Sequence, residues 1–378
     1  MVRSRPTRLA HIAPIGVDRM GDIADLSGKD FLRLENLDVD IPPDPEAIAC
    51  TKSSADQDQN NSYLPFIGQR HLREIAARHV SSISGVQYSG EENCIISSGG
   101  LSGILNVLLA TVEVGDEVIV TDPTYAGLIN VSSPSGGPQS KVRAMLLMSP
   151  SMPSGGYFNA EDWDLISKLC VEADLLLILD TAMERLLFDK RPLIHPAGLL
   201  GMANRTITVG AASKELRMIG WRVGWIVAPK EYIPDLIAVS LANVVVPVGI
   251  AQSAAAVALE RSWTTMQPYV DELQARRDLI LEELHGLPVG VPAGGWSLLL
   301  RVSDYGIDGE TASKRLLEEG VCATGMAGWG NEHGKEYGDR RITLAPATAP
   351  RSRSIDNHKT AFGLPVDRKT PPPSNANR

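Results

Sequence analysis

The stretch SKELRMIGWRVGW at residues 213–225 decides how this chain folds, together with the apolar run TITVG at 206–210 just before it. A short apolar run of this kind predicts a buried strand. Lys214 comes just past the end of that strand. Because an ammonium group is costly to desolvate, a lysine in such a place is rare unless it is paired or functional.

Lys214 and Arg222 together suggest a binding site for a phosphorylated aldehyde. A desolvated lysine can form a Schiff base with an aldehyde cofactor. Arg222, between Gly220 and Gly224, lies eight residues later and could grip a phosphate with two parallel hydrogen bonds. Taken alone, the stretch fits a surface turn with two solvated bases equally well.

The residues around this stretch alternate between apolar runs and helical segments, which predicts a mostly parallel sheet covered by helices on both faces. The predicted strands are CIISSGG, DEVIVTDP, AMLLMSP, LLLILD, TITVGAAS and VGWIVAP. From about Asp271 to Ala345, a charged helix and the strand candidates WSLLLRVS and RRITLA predict a smaller α+β domain. The fold class is therefore α/β, with a second, smaller domain.

The domain boundaries follow from these patterns and from the length of 378 residues, which exceeds one ordinary core. Residues 1–44 are predicted to form an N-terminal arm and part of the small domain. Residues 45–260 would form the large domain, and 261–345 the rest of the small one. The segment 346–378 is rich in proline and polar residues, which predicts disorder.

Polar residues at the ends of three predicted strands complete the candidate site, since ligands of such sheets collect at the carboxyl ends of the strands. Asp180 closes LLLILD and could bind a ring nitrogen, although a helix N-cap is the commoner role. The turn Ser98–Gly99–Gly100 opens an apolar helix and could cradle a phosphate. Tyr125, in DPTY, could lie over a cofactor ring or could simply pack.

Composition excludes several other classes of protein. The net charge of -9, with no basic cluster, argues against a nucleic-acid partner. Four cysteines lack the spacing of a metal site or a disulfide framework, which favours the cytoplasm and no metal. The uncharged stretch from Leu236 to Leu259 contains Pro247, Gly249 and several polar residues, so we expect a buried loop and a core helix rather than a membrane span.

In this order and spacing, the segments from about Leu32 to Ala345 resemble the class I and II aminotransferases of pyridoxal phosphate fold type I. The resemblance implies pyridoxal 5'-phosphate as cofactor, an amino acid and a 2-oxo acid as substrates, and a homodimer. It implies that Lys214 forms the Schiff base and moves the α-proton, and that Arg341 grips the substrate carboxylate. The cofactor-binding residues that it implies are Ser98, Gly99, Gly100, Tyr125, Asp180, Ser213, Arg222 and, from the other subunit, Tyr63.

The chain also departs from the family pattern. Met152 and Met183 stand where the family usually has an asparagine and a tyrosine that donate hydrogen bonds to the cofactor's phenolic oxygen. The segment between Tyr125 and Ala144 is shorter than usual and offers little helix for a parallel crossover. The tail after Ala345 encodes no closing helix. These departures leave open a truncated, weakly active homologue.

Two further questions stay open at the level of sequence. The same fold hosts lyases, decarboxylases and oxidases, so another pyridoxal phosphate reaction is an alternative to amino transfer. The acids Glu35, Asp38 and Asp40 suggest a cationic amino acid such as lysine, unless they are simply solvated. The chain is also similar to aminotransferases of secondary metabolism, including alkaloid clusters of the swainsonine type.

Overall fold

A computed structural model describes residues 17–35, 39–132, 141–330 and 341–344 of the chain. The first sixteen residues of the predicted N-terminal arm and the predicted disordered tail at 346–378 lie outside the described residues. Within the described ranges, six strands form one large sheet and five others form two small sheets.

The large sheet has the strand order β2-β7-β6-β5-β4-β3. Its strands are β2 (Cys94–Ser97), β3 (Glu117–Val120), β4 (Val142–Met148), β5 (Leu176–Asp180), β6 (Thr206–Ala211) and β7 (Gly224–Val227). The neighbours β3, β4, β5 and β6 are parallel, whereas β7 runs antiparallel to both β6 and β2. The predicted fold class, an α/β fold with a mostly parallel sheet, is confirmed.

Alternate residues of the central strands pack into cores on opposite faces of the sheet, as the period of two in a strand requires. Ile178 of β5 belongs to one core, while Leu177 and Leu179 belong to the core on the other face. The helices that cover the two faces and the small sheets are α1 (Val17–Leu26), α2 (Pro45–Ala55), α3 (Arg70–Ser84), α4 (Gly100–Thr111), α5 (Ala126–Ser132), α6 (Ala160–Glu172), α7 (Ile233–Asn243), α8 (Gly249–Glu283) and α9 (Gly309–Glu318). The apolar runs therefore form strands that are covered on both sides.

A second core lies around the two small sheets. Strand β8 (Leu298–Arg301) pairs with β11 (Arg341–Leu344), which pairs with β10 (Thr324–Gly325). Strand β1 (Leu32–Arg33) pairs with β9 (Val321–Cys322), which places an N-terminal segment beside the C-terminal part of the chain. This core is closed by the end of α8 and by α9. Helix α8 runs through the predicted boundary at residue 260, so the division of the chain into domains stays a prediction.

The short connection between β3 and β4 contains the seven-residue helix α5. Residues 133–140 of this connection lie outside the described residues. Strand β3 nevertheless pairs in parallel with β4, with Val118 opposite Ala144. Ile119 on β3 is exposed, unlike the fully buried residues of β5 and β6. The shortened connection is thus compatible with a parallel pair.

The uncharged stretch from Leu236 to Leu259 forms the end of α7, a turn and the start of α8. The prediction of a core helix is right for α8, whose early alanines are buried. The prediction of a buried loop is wrong, because Val245 and Val248 in the turn are exposed. Among the described residues, no helix is long and apolar enough to cross a membrane.

Candidate active site

The carboxyl ends of the parallel strands open into a cavity of about 370 Å³. The turn after β2 and the start of β7 lie at the same edge, because Ser97 and Ala211 both pair with Gly224. The predicted site residues in the cavity wall are Gly100, Tyr125, Asp180, Ser213, Lys214 and Arg222. The sheet thus brings together residues that lie up to 122 positions apart in the sequence, from Gly100 to Arg222.

Lys214 occupies the turn that follows β6. Its carbonyl oxygen accepts a hydrogen bond from the N–H of Arg217 at 3.1 Å, which keeps the turn compact. The Nζ atom lies 4.0 Å from the centroid of the Trp296 ring. Trp296 was not among the residues expected in the site, although the two glycines before it mark an unusual backbone there.

Asp180 ends β5 beneath the same cavity and is buried. Burial raises the pKa of its carboxyl group to about 6, although the Ala182 N–H and the positive charge of Lys214 act in the opposite direction. Its Oδ1 accepts that N–H at 3.0 Å. A turn rather than a helix follows Asp180, so the helix N-cap alternative is wrong.

Arg222 and the turn after β2 form a concave polar surface. Gly99 has a positive φ of +97°, and a Cβ atom there would lie 2.6 Å from Nη2 of Arg222. The α4 helix begins at Gly100, so its free N–H groups lie beside the guanidinium. Arg222 is itself held by a hydrogen bond from Nη1 to the carbonyl of Ile219 at 2.9 Å. A helix N-terminus next to an arginine fits a phosphate group.

The remaining cavity wall is mostly apolar. Tyr125 contacts the Trp329 ring edge-on, with 5.8 Å between the ring centroids. Met152 and Met183 are buried and line the cavity with Lys214. A thioether sulfur cannot donate a hydrogen bond, so neither side chain can take over the donor role of the residue that the family usually has there.

Three of the predicted site residues, Ser98, Gly99 and Tyr63, do not line the cavity. Ser98 is half-buried beside Gly99, and Tyr63 is exposed over 85% of its surface. Arg341 stands opposite Arg301 on the small sheet, and its side chain lies outside the described residues. Both roles proposed for Tyr63 and Arg341 stay predictions.

The acids that suggested a cationic substrate have other partners. Glu35 is buried and accepts a hydrogen bond from Arg33 at 2.5 Å. Asp40 forms an ion pair with Arg276 at 2.7 Å. The third acid, Asp38, lies outside the described residues. The described geometry therefore gives no support to a cationic side-chain pocket built from Glu35 or Asp40.

A buried ionic cluster behind the site was not predicted. Glu215 accepts the backbone N–H of Arg185 and its Nε–H, both at 2.7 Å, and Arg185 also donates to Ser262. His79 lies 3.3 Å from Glu184. Burial lowers the pKa of His79 to about 3 and raises that of Glu184. The charges in MERLLFD and SKELR look like those of exposed segments, so the sequence carried no signal for this cluster.

Comparison with known proteins gives a consistent family. Residues 30–143 and 131–352 match the profile described as aminotransferase class I and II. The two ranges overlap at 131–143, which covers the end of the short connection between β3 and β4 and the first two residues of β4. The chain is 28% identical to the aspartate aminotransferase of Pyrococcus abyssi over 369 residues, which cover 90% of this chain and 93% of that protein.

Two further relatives agree with this family. The arginine–pyruvate transaminase of Pseudomonas aeruginosa is 30% identical over 285 residues, covering 68% of this chain and 72% of the relative. The solved structure of the aspartate aminotransferase from Thermus thermophilus with maleate superposes with a TM-score of 0.82 at 25% identity. It covers 96% of this chain and 98% of its own.

The buried carboxyl of Asp180 should make the stability of the cofactor-free protein depend on pH. Its folded pKa of about 6 lies above the ordinary 3.8, so its stabilising contribution is complete below pH 3.8 and is lost as the pH rises through 6. Replacing it by the neutral Asp180→Asn removes this loss. Urea unfolding should show the variant gaining about 2 kcal/mol relative to the parent between pH 4 and pH 7. An unchanged difference would show that the carboxyl is not desolvated.

The Arg185–Glu215 pair should be essential for stability. Glu215→Gln would leave the guanidinium buried and uncompensated, so we expect the free energy of unfolding to fall by about 3–5 kcal/mol. A matched control is Asp164→Asn, which breaks the exposed pair with Lys168 and should cost far less, because water screens both charges. Equal losses in the two variants, measured by urea unfolding, would contradict the burial of Arg185.

Proposed function

We propose, for a chain that belongs to the family of class I and II aminotransferases, that Lys214 is the residue that binds the cofactor covalently. The protein is a pyridoxal 5'-phosphate-dependent transaminase, and its substrates are an amino acid and a 2-oxo acid. The observation that carries the proposal is that Lys214 lines the same cavity as Asp180 and Arg222.

The groups around the cavity fit the parts of this cofactor one by one. Arg222 and the N–H groups of the turn Ser98–Gly99–Gly100, with Ser213, would hold the phosphate. Asp180 would bond the pyridine nitrogen, and Tyr125 would lie against the ring. The concave surface between Gly99 and Arg222, which a Cβ atom would fill, supports this arrangement.

The bound cofactor supplies an electron sink for the carbon next to the substrate's amino group. The chain's own residues supply the rest of the chemistry. The ionised carboxylate of Asp180 would pair with the ring nitrogen and keep that nitrogen protonated. Lys214 Nζ accepts the proton that leaves the substrate's α-carbon and later donates it. The apolar side chains Met152 and Met183 exclude water from Nζ.

The second subunit completes the site in this proposal. Tyr63 is too exposed to serve its own chain's cavity, and Phe66, Val245 and Val248 are exposed as well. Family members are typically dimers, which supports covering these side chains with a second copy. Tyr63 would then reach the phosphate of the other subunit. Arg341, on the small sheet, would grip the substrate carboxylate of its own chain.

The proposal keeps the two-domain division at 45–260 and 261–345. Lys214 and Asp180 belong to the large sheet, whereas Trp296 precedes β8 of the small one. The candidate site thus lies where the two parts of the chain meet. Limited proteolysis that cuts near residue 260 and releases two stable pieces would support this division. Stable pieces that keep α8 whole, with the cut away from residue 260, would contradict it, because α8 is continuous there.

The finer part of the proposal is that the protein acts in secondary metabolism and is located in the cytoplasm. The similarity to aminotransferases of alkaloid clusters supports the pathway, and the four unpaired cysteines support a reducing compartment. Deleting the gene should abolish one secondary metabolite and leave growth on minimal medium intact. A requirement for a common amino acid in the deletion strain would contradict this role.

A second candidate is another reaction of the same cofactor, such as decarboxylation, elimination or oxidation. It is favoured by Met152 and Met183, which replace hydrogen-bond donors with apolar groups in the cavity wall. Formation of a keto acid without consumption of a 2-oxo acid acceptor would identify it. A third candidate is a truncated, catalytically weak or structural homologue, which failure to bind the cofactor would favour.

Lys214→Ala should abolish covalent attachment of the cofactor. Incubating the parent protein with pyridoxal phosphate should give a visible absorbance band that borohydride fixes, and mass spectrometry should find the added mass on the peptide that contains Lys214. Lys230→Ala is a matched control, since Lys230 lies outside the cavity and should change nothing. A fixed label on the Lys214→Ala protein would refute the assignment.

Mixed dimers test the role of Tyr63 across the subunit interface. Homodimers of Tyr63→Ala and of Lys214→Ala should both be nearly inactive. A mixed dimer of the two has one site with both residues intact, so it should have about half of the parent activity. Random mixing of equal amounts makes about half of the dimers mixed, so about a quarter of the parent activity should return in the mixture. Activity that does not return on mixing, in a protein shown to exchange subunits, would place Tyr63 in its own chain's site.

A further inference from the structure

Trp296 covers the amine of Lys214 with the face of its ring. The Nζ atom lies 4.0 Å from the ring centroid, and the indole is only 1% exposed. The two residues come from separate parts of the fold, since Lys214 follows β6 and Trp296 precedes β8. The contact is therefore a tertiary one rather than a consequence of neighbouring positions in the chain.

The indole is held in place on two sides. Its Nε1–H donates a hydrogen bond to the buried hydroxyl of Tyr269 on α8 at 2.9 Å. The preceding Gly295 donates its N–H to the carbonyl of Leu186 at 2.8 Å. A Cβ atom on Gly294 would lie 2.2 Å from that carbonyl oxygen, so the backbone approaches too closely for another residue. The ring cannot move away from Nζ without breaking these contacts.

An aromatic face attracts an ammonium group because the ring's quadrupole is negative there, and the attraction is strongest where water is excluded. Two charged residues line the cavity with Lys214: Asp180, which attracts the ammonium, and Arg222, which repels it. Arg217, whose guanidinium carbon lies 4.9 Å from the centroid of the Tyr269 ring, also repels the ammonium. Glu215 is engaged with Arg185. The indole face adds a further attraction to that of Asp180.

We propose that Trp296 is a positioning residue for Lys214 and that its ring face stabilises the ammonium form that Nζ takes after it has accepted the substrate's α-proton. The proposal rests on the proposed function of Lys214. The proton balance is simple: Nζ gains one proton from the substrate's α-carbon and gives one proton back to a carbon atom later in the cycle. The ring stabilises the charge that exists between these two transfers.

The test uses the full chain with its lysine amines labelled by reductive ¹³C-methylation and with pyridoxamine 5'-phosphate bound, so that Lys214 has no covalent bond to the cofactor. Lys214→Arg identifies the Lys214 resonance. In Trp296→Met, which keeps an apolar side chain without a π-face, this resonance should titrate at a lower pH than in the parent. In Trp296→Phe it should titrate close to the parent. Equal midpoints in the parent and Trp296→Met would overturn the proposal.

Kinetics provide an independent measurement. Trp296→Met should lower kcat about 10- to 30-fold, the size expected for a desolvated cation–π contact, with little change in KM and a larger isotope effect with α-deuterated substrate. Trp296→Phe should recover most of kcat. Tyr269→Phe, which removes the acceptor of the indole N–H but no ring face, serves as the matched control. A loss confined to KM would assign Trp296 to substrate binding instead and overturn the proposal.

A labelled parent protein replaces the Trp296→Met variant if that variant does not fold, and one outcome separates this proposal from the proposed function. If Trp296→Met does not fold, fluorinated tryptophan in the parent protein weakens the ring's negative face without changing its shape and should lower the midpoint of the Lys214 resonance. The Trp296→Phe protein grown with the same analogue should show no such shift. If the protein transfers no amino groups but the titration midpoint of the Lys214 resonance shifts, the proposed function is wrong and the role of Trp296 beside Nζ is supported.

Discussion

The buried ion pair between Arg185 and Glu215 joins the two turns on which the candidate site depends. Glu215 immediately follows Lys214, and Arg185 lies five residues after Asp180. The carboxylate binds both the backbone and the side chain of Arg185 at 2.7 Å. Since the interior penalises any unpaired charge, the two turns can hardly separate, and the lysine and the aspartate keep a fixed relation.

The parallel sheet explains why these turns meet at all. Strands that run in the same direction end at one edge, so residues far apart in the sequence share one cavity. Strand β7 runs the opposite way and therefore begins at that edge, which brings Arg222 beside the turn after β2. Trp296 comes from another part of the fold, the segment just before β8. The site thus combines charges from the large sheet with an aromatic cover from the small one.

The sequence predicted the strands and the central site residues well, because buried strands have a strong apolar signature and because Lys214, Asp180 and Arg222 each stand at a strand end. It did not predict the Arg185–Glu215 pair, since a charged residue in a turn looks solvated until its partner is known. The contact between Trp296 and Lys214 was missed for the same reason. Local patterns do not show which distant side chains meet. Glu35 and Asp40 misled in the opposite direction, because both are paired with arginines, Glu35 with Arg33 two residues away and Asp40 with the distant Arg276.

A single-turnover reaction tests the account most directly. The protein loaded with pyridoxal phosphate is mixed with an excess of one amino acid and no 2-oxo acid, and the 2-oxo acid released and the pyridoxamine phosphate formed are both quantified. The account predicts equal amounts of the two products, one of each per active site, in the parent and none in Lys214→Ala. Release of a 2-oxo acid with no matching pyridoxamine phosphate would contradict amino transfer as the reaction of this chain.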